Sequence, residues 1–202
     1  MDQNVILVET VPLEFDLESL GCRLRIRPGQ TKFMDRLSRL AEEAARVARP
    51  KAVARLCGLT MLDEENVQVG EVTFSSPLLR QKMDGLGRAF PYLASEGTEL
   101  ADWSLSLSSS LEQVFASALR EVAVQQAENL LERTLLERYG IAQVSAMNPG
   151  SLKVWSLEEQ VPLFELLAPL PEKLGVTLLP SLMMRPEYSV SGVFFQTDSK
   201  FY

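Results

Sequence analysis

Apolar and polar positions follow two distinct periods along this chain. Residues 4–8 and 22–27 run apolar or alternate, the period-two signature of strands. After the turn Arg27-Pro28-Gly29, the apolar positions Phe33, Leu37, Leu40, Ala41, Ala44 and Val47 recur at helical spacing, with Arg and Glu between them. That spacing predicts an amphipathic helix of about 17 residues, ended by Pro50. Residues 52–60 and 66–74 read as strands around the turn Asp63-Glu64-Glu65-Asn66. Ser76 followed by Pro77 offers a capping hydroxyl and then a proline at the first helical position, so a short helix starts there and stops near Gly85. Residues 89–95 form another apolar strand. Leu107, Leu111, Phe115, Ala118, Val122, Leu130 and Leu131 mark a longer helix to Arg138 with Gly140 as its C-cap, fed by a loop over the serine run Ser104 to Ser110.

The last third carries more punctuation. A strand is expected at 141–146, then a tight turn at Asn148-Pro149-Gly150-Ser151. Ser156-Leu157-Glu158-Glu159 reads as a capping box in which Glu159 reaches back to the cap. The helix it opens holds Leu163, Phe164, Leu166 and Leu167, and Pro162 inside it predicts a kink or a restart. Gly175-Val176-Thr177-Leu178 begins a strand, and residues 189–195 form another. Strands and helices mix without strict βαβ alternation and no linker or repeat interrupts them. The expectation is one α+β domain over residues 1–202, with a mainly antiparallel twisted sheet flanked by helices.

Composition narrows the chemistry. The 202-residue chain has no histidine, which removes Ser-His-Asp triads, Cys-His dyads and histidine-ligated metals. Its two cysteines, Cys22 and Cys57, form no CxxC pair and are expected as reduced, buried thiols. No signal-peptide pattern or membrane-length apolar run is present, so a cytoplasmic protein without a membrane partner is expected. The net charge of −7 is uneven: residues 23–55 hold ten Lys and Arg against three Asp and Glu, a local +7 that leaves −14 for the rest. Such a segment is either a solvated helix face or a patch for an acidic partner or phosphate. The acidic total argues against nucleic acid.

No catalytic residue and no metal ligand set emerges. Acidic pairs such as Glu158/Glu159, Glu64/Glu65 and Glu96/Glu99 read as solvated helix or turn positions. Neither GxGxxG nor GxxxxGK[ST] occurs. Two clusters remain. In the Asn148, Pro149, Gly150 and Ser151 turn, the glycine lets a ligand approach the backbone. Ser181, Ser189 and Ser191 accompany Met183, Met184 and Pro186; Ser189 and Ser191 would share one strand face. Without a base nearby, none of these serines is a nucleophile, and the methionines are expected in the core.

Taken together, these C-terminal pieces resemble the activation domain of cobalamin-dependent methionine synthase, and more closely a family of small free-standing proteins related to it. The residues that carry the resemblance are Asn148-Pro149-Gly150-Ser151-Leu152, Trp155, Glu159-Gln160, Leu163-Phe164, Leu166-Leu167, Gly175-Val176, Leu178, Ser181, Met184, Pro186 and Ser189-Val190-Ser191-Gly192. The terminal Asp198-Ser199-Lys200-Phe201-Tyr202 matches a further stretch, and Gly97, Glu99 and Leu100 give a fainter echo. The resemblance implies an activation-domain fold and an accessory or reactivation role toward a corrinoid held by a partner methyltransferase. It also implies S-adenosylmethionine as ligand, at Asn148, Pro149, Gly150, Ser151, Ser181, Met184, Ser189, Ser191 and Phe201.

Three departures bear on that ligand. The family arginine three residues before Pro-Gly is Ala146 here, the aromatic after the glycine is Ser151, and the first tyrosine of the terminal stretch is Phe201. Loss of a charge-assisted clamp costs on the order of 2–3 kcal/mol, so binding is expected to be weak or altered, with Lys153, Arg185 and Lys200 as candidate replacements. The alternative is a binding module that kept the fold and lost the ligand; a third reading is an unrelated enzyme on the same scaffold. Small-family chains run on into a cysteine-containing tail, so a chain lacking its tail is also expected. The sequence leaves the oligomeric state open.

Overall fold

The computed structural model describes residues 3–151 and 154–197. Lys153, Lys200 and Phe201 therefore lie outside the described residues. In chain order the elements are β1 (Val5–Val8), α1 (Leu17–Arg23), α2 (Thr31–Val47), β2 (Lys51–Arg55), β3 (Cys57–Met61), β4 (Asn66–Val69), β5 (Val72–Ser75), α3 (Pro77–Lys82), β6 (Arg88–Ser95), α4 (Thr98–Ser106) and α5 (Ser110–Tyr139). Then follow β7 (Val144–Met147), a 3₁₀ turn at Leu157–Glu159, α6 (Gln160–Leu167), α7 (Leu170–Leu174), β8 (Thr177–Leu178), β9 (Met184–Arg185) and β10 (Ser189–Gln196).

Eight strands of the described residues make one sheet whose pairs are all antiparallel. β6 is its central strand. One edge of β6 meets β10, which carries β7. The other edge meets β2 and β3 in one continuous register: Ala54 faces Tyr92 and Cys57 faces Ala89. The expected strand over 52–60 is thus one path interrupted at Leu56, whose amide turns away to Asn4 O at 2.7 Å. By that register Arg55 lies opposite Pro91, which has no N–H to give the ladder. β1 flanks β2, while β4 and β5 extend the sheet from β3.

Helices cover both faces. Ala127, Leu131 and Leu135 of α5 pack on Ile6, Ala54, Phe90, Tyr92 and Phe194. On the other face, Leu79, Trp155, Leu163, Leu167 and Leu174 cover Val53, Leu93, Val193 and Phe195. The first half of α5 meets α1, α2 and α4 through Phe115, Leu119, Leu37, Leu40 and Leu100. Each such buried side chain contributes about 1.5–3 kcal/mol.

α2 and α5 match the periodicity, and Gly140 closes α5 in the left-handed conformation at φ 62°. The Ser76 hydroxyl caps α3 by accepting from Leu79 N. Other expectations are corrected. Residues 22–27 are not a strand: Asp16 accepts from Glu18 N and Ser19 N, starting α1, which runs to Arg23. Ser104 and Ser106 end α4 rather than lying in a loop, and their hydroxyls bond back to Ala101 O and Trp103 O. Of the two outcomes expected at Pro162 the restart is the one seen: a 3₁₀ turn over Leu157–Glu159 gives way to α6 at Gln160, and Pro162 sits in the first turn of α6, where its missing N–H is harmless. Gly175 is the left-handed cap of α7, not the start of a strand.

Part of the basic segment finds acidic partners within the chain. Arg23 pairs with Glu121, and Arg39 with both Glu43 and Glu112, at 3.0 and 2.7 Å. Arg55 donates to Leu166 O and Ala168 O. Arg23 and Arg39 thereby tie α1 and α2 to α5, and Arg55 ties β2 to the end of α6. Cys57 is buried as expected, but Cys22 is exposed on α1.

Candidate functional site

The Asn148–Ser151 turn follows β7 at the edge of the sheet. Its geometry is set by one amide. Asn148 Nδ2 donates to Ser191 O and to Tyr92 Oη, both at 2.8 Å. Tyr92 Oη in turn donates to Glu128 Oε1 at 2.6 Å. The ring of Tyr92 is fully buried and stacks on Phe194, with centroids 3.9 Å apart. Burial, with Glu128 next to it, holds the Tyr92 phenol well above its usual range, so it stays protonated and donating. Burial also raises Glu128, and the nearby Glu132 adds to the rise. Gly192 makes the arrangement possible: a Cβ there would lie 2.4 Å from Met147 O and 2.6 Å from Asn148 Nδ2. Gly150, at φ 79°, gives its amide to Trp155 O at 2.9 Å, and the exposed Ser151 donates its hydroxyl to Asn148 O at 2.7 Å. Pro149 is buried. Ala146 is exposed on β7, opposite Phe194.

The serine cluster divides between other places. Ser191 points to the opposite sheet face, where its hydroxyl accepts from Gln160 Nε2 of α6 at 3.1 Å. Ser189 Oγ lies 3.0 Å from Ser95 Oγ and donates to Pro186 O at 2.8 Å. Ser181 is exposed in the hairpin between β8 and β9. Met184 is half-buried against the core, as expected, but Met183 is exposed. The structure thus joins Asn148 to β10 through the Ser191 carbonyl, while Ser181 and Met184 stand apart on the hairpin.

Two acidic readings change. Glu96 is not solvated: its side chain is 0% exposed and takes a two-pronged bond from Arg120, Nε to Oε2 at 2.6 Å and Nη2 to Oε1 at 2.7 Å. Tyr188 N also donates to it, and the Tyr188 ring lies 4.4 Å from the guanidinium carbon. Burial still pushes Glu96 above the usual carboxyl range against the pull of these donors. Glu159 does not close a capping box; its Oε1 accepts from Ser75 N at 3.2 Å, and burial raises it too. Ser156 keeps its half of the box, accepting from Glu158 N.

Tyr92, Glu128, Glu96 and Arg120 were not singled out from sequence as partners. A hydroxyl inside the apolar stretch 89–95 and an arginine in the apolar stripe of α5 were the available signals, since each needs a partner when buried. A groove of about 850 Å³ also opens between residues 11–16 and α5, with Glu14, Asp16, Glu132 and Arg133 on its walls. Among the described residues no cluster of three or more His, Cys, Asp or Glu is placed to hold a metal, and no helix is long and apolar enough to cross a membrane.

The sheet order and its helical cover define an α+β protein with an antiparallel sheet enclosed on two faces. No family model matches the sequence, and no curated protein does. Among solved structures, the chain is similar to the MetH reactivation domain, crystallised with AdoHcy: identity is 17% and the TM-score 0.66, over 98% of this chain and 80% of that one. The fold is therefore that of the methionine synthase activation domain.

Proposed function

We propose that this chain is an accessory protein for reactivation of a corrinoid-dependent methyltransferase, binding S-adenosylmethionine or its demethylated product at the Asn148–Ser151 turn. The observation that carries the reading is the fold shared over 98% of the chain with a domain crystallised with AdoHcy. The anchored Asn148 amide supports it, because a turn fixed from below keeps its outer face constant for a ligand. The absence of histidine from the sequence fits a corrinoid held by the partner. In this reading S-adenosylmethionine supplies the methyl group and the partner's corrinoid receives it, while this chain binds and orients.

Calorimetry with S-adenosylhomocysteine is the test, on the native chain and on Ala146→Arg. The exposed position 146 has room for a guanidinium, so the variant should bind up to about a hundredfold tighter. A Co(II) corrinoid protein with S-adenosylmethionine and a reductant should show its methyl-cobalt spectrum sooner in the presence of this chain. No heat with either chain and an unchanged cobalt spectrum would overturn the proposal. The exposed methyl at Ala146 favours a second reading, a module that kept the fold without the ligand. It predicts partner binding with no change in the cobalt spectrum.

A further inference from the structure

A second cleft, of about 600 Å³, lies between α4, α5 and the β8–β9 hairpin, away from the Asn148 turn. That volume is in the range of small-molecule sites. Four charged side chains line it, Asp102, Arg120, Arg185 and Glu187, and of these the buried one is Arg120, which reaches the cleft from the stripe of α5 with a side chain only 10% exposed. Glu96 occupies Nε and Nη2, and the guanidinium carbon lies 4.4 Å from the centroid of the Tyr188 ring. Nη1 is differently placed. Its charged neighbour is Glu187 Oε2 at 3.9 Å, too far for a hydrogen bond, on a side chain 69% exposed. Two prongs of a buried fork are thus committed, and the third offers donors to whatever enters.

Between these charges the wall is apolar. Leu105 of α4 is 79% exposed and Met183 53% exposed, an unusual outlay of apolar surface at one mouth. Leu179 and Met183 are held together: Leu179 N donates to Met183 O at 2.9 Å and Leu182 N to Leu179 O at 2.8 Å, with Leu182 at φ 65°. Left-handed backbone at a leucine is uncommon and is retained here by those two bonds. The thioethers of Met183 and Met184 can adjust to different apolar shapes.

We propose that this cleft binds a small amphipathic monocarboxylate, its carboxylate on Arg120 Nη1 and its apolar body between Leu105, Leu179 and Met183. The loosely held Glu187 carboxylate is an internal stand-in that the ligand displaces. A single negative charge suits the site. Glu96 already pairs with the Arg120 guanidinium, and the remaining charges at the cleft, Asp102 and Glu187 against Arg185, leave no excess of positive charge for a dianion such as a phosphate monoester.

The test is a titration with hexanoate, followed by NMR of ¹³C-methyl methionine, with hexylamine and hexanol as comparators. Hexanoate should shift the Met183 and Met184 methyl signals saturably, and more strongly than either comparator. Glu187→Gln removes the competitor from the exposed side of the cleft and should tighten binding about two- to fivefold. Leu105→Asp puts a like charge at the mouth without touching the core and should weaken it about tenfold or more. Ala146→Arg should leave the hexanoate shifts unchanged, which separates this cleft from the site of the proposed function. Non-saturating shifts with hexanoate, tighter binding of hexylamine, or weaker binding by Glu187→Gln would overturn the assignment.

Discussion

Gly192→Ala tests whether the Asn148 turn is built as described. A methyl group there would stand 2.4 Å from Met147 O, 2.6 Å from Asn148 Nδ2 and 2.9 Å from Tyr92 Cε1. The backbone angle is not at issue, since Gly192 lies within β10 and has no positive φ. The effect is steric. Asn148 can swing aside, but Met147 O belongs to the strand paired with β10, so the ladder at Val193 and Met147 must open. Overpacking of this kind costs about 1–3 kcal/mol. Displacing the Asn148 amide removes its bonds to Ser191 O and Tyr92 Oη, at about 1 kcal/mol each. The expected loss is about 3–5 kcal/mol, a large part of a typical stability of about 5–15 kcal/mol. At about 2–4 °C per kcal/mol for a chain of this size, Tm should fall by about 6–20 °C. Urea unfolding followed by circular dichroism measures it. Gly58→Ala is the control: nothing lies within 4 Å of its Cβ position, and the change should stay within about 0.5 kcal/mol. A Gly192→Ala protein as stable as Gly58→Ala would refute the packing argument.

Three further substitutions follow from the same structure. Glu96→Ala leaves the Arg120 guanidinium buried without its partner and should cost about 3–5 kcal/mol in urea unfolding, while the double change Glu96→Leu with Arg120→Met should recover most of that loss. Glu128→Gln keeps an acceptor for Tyr92 Oη and removes a charge that burial disfavours. Because the folded pKa of Glu128 lies above its unfolded value, the native protein loses stability as pH rises through that window, so the variant's relative gain should be present at neutral pH and vanish below the unfolded carboxyl range; thermal melts across pH read it, and a gain that grows on acidification would contradict the sign. Ser76→Ala removes the cap on Leu79 N and should cost about 1 kcal/mol in the same unfolding assay.

Much of the fold was legible because its signals are local. Pro50 and Gly140 bound α2 and α5, and the Ser76-Pro77 pair starts α3, each through chemistry contained within a few residues. The misreadings came where two local patterns competed or a partner was remote. Leu24 and Ile26 between arginines look like a strand, yet the Asp16 cap eight residues before Leu24 had already started a helix. Glu96 looked solvated because its partner is Arg120, 24 residues away on another element. The candidate site was legible as a motif and not as a place. Asn148-Pro149-Gly150 could be read directly, whereas its anchor runs through Tyr92 and Ser191, 56 and 43 residues distant. Ser189 and Ser191 do share a strand face, but the register of β10 turns that face toward α6 and away from the Asn148 side chain.

The shifted carboxyls are engaged within the protein. Raised carboxyl pKa values often mark catalytic acids, and among the described residues Glu96, Glu128 and Glu159 carry them. Each is already occupied by a donor within the protein: Arg120, Tyr92 and the Ser75 amide. A general acid needs a substrate atom within hydrogen-bond reach, and these groups spend their geometry on holding elements together. Glu128 fixes the Tyr92 hydroxyl that receives the Asn148 amide, and Glu96 fixes the guanidinium whose remaining nitrogen faces the second cleft. β6 links the two, with Tyr92 at one site and Ser95 leading into Glu96 at the other, roughly 13 Å apart along an extended strand. Buried carboxylates in this fold therefore serve as foundations for the side chains they hold in place.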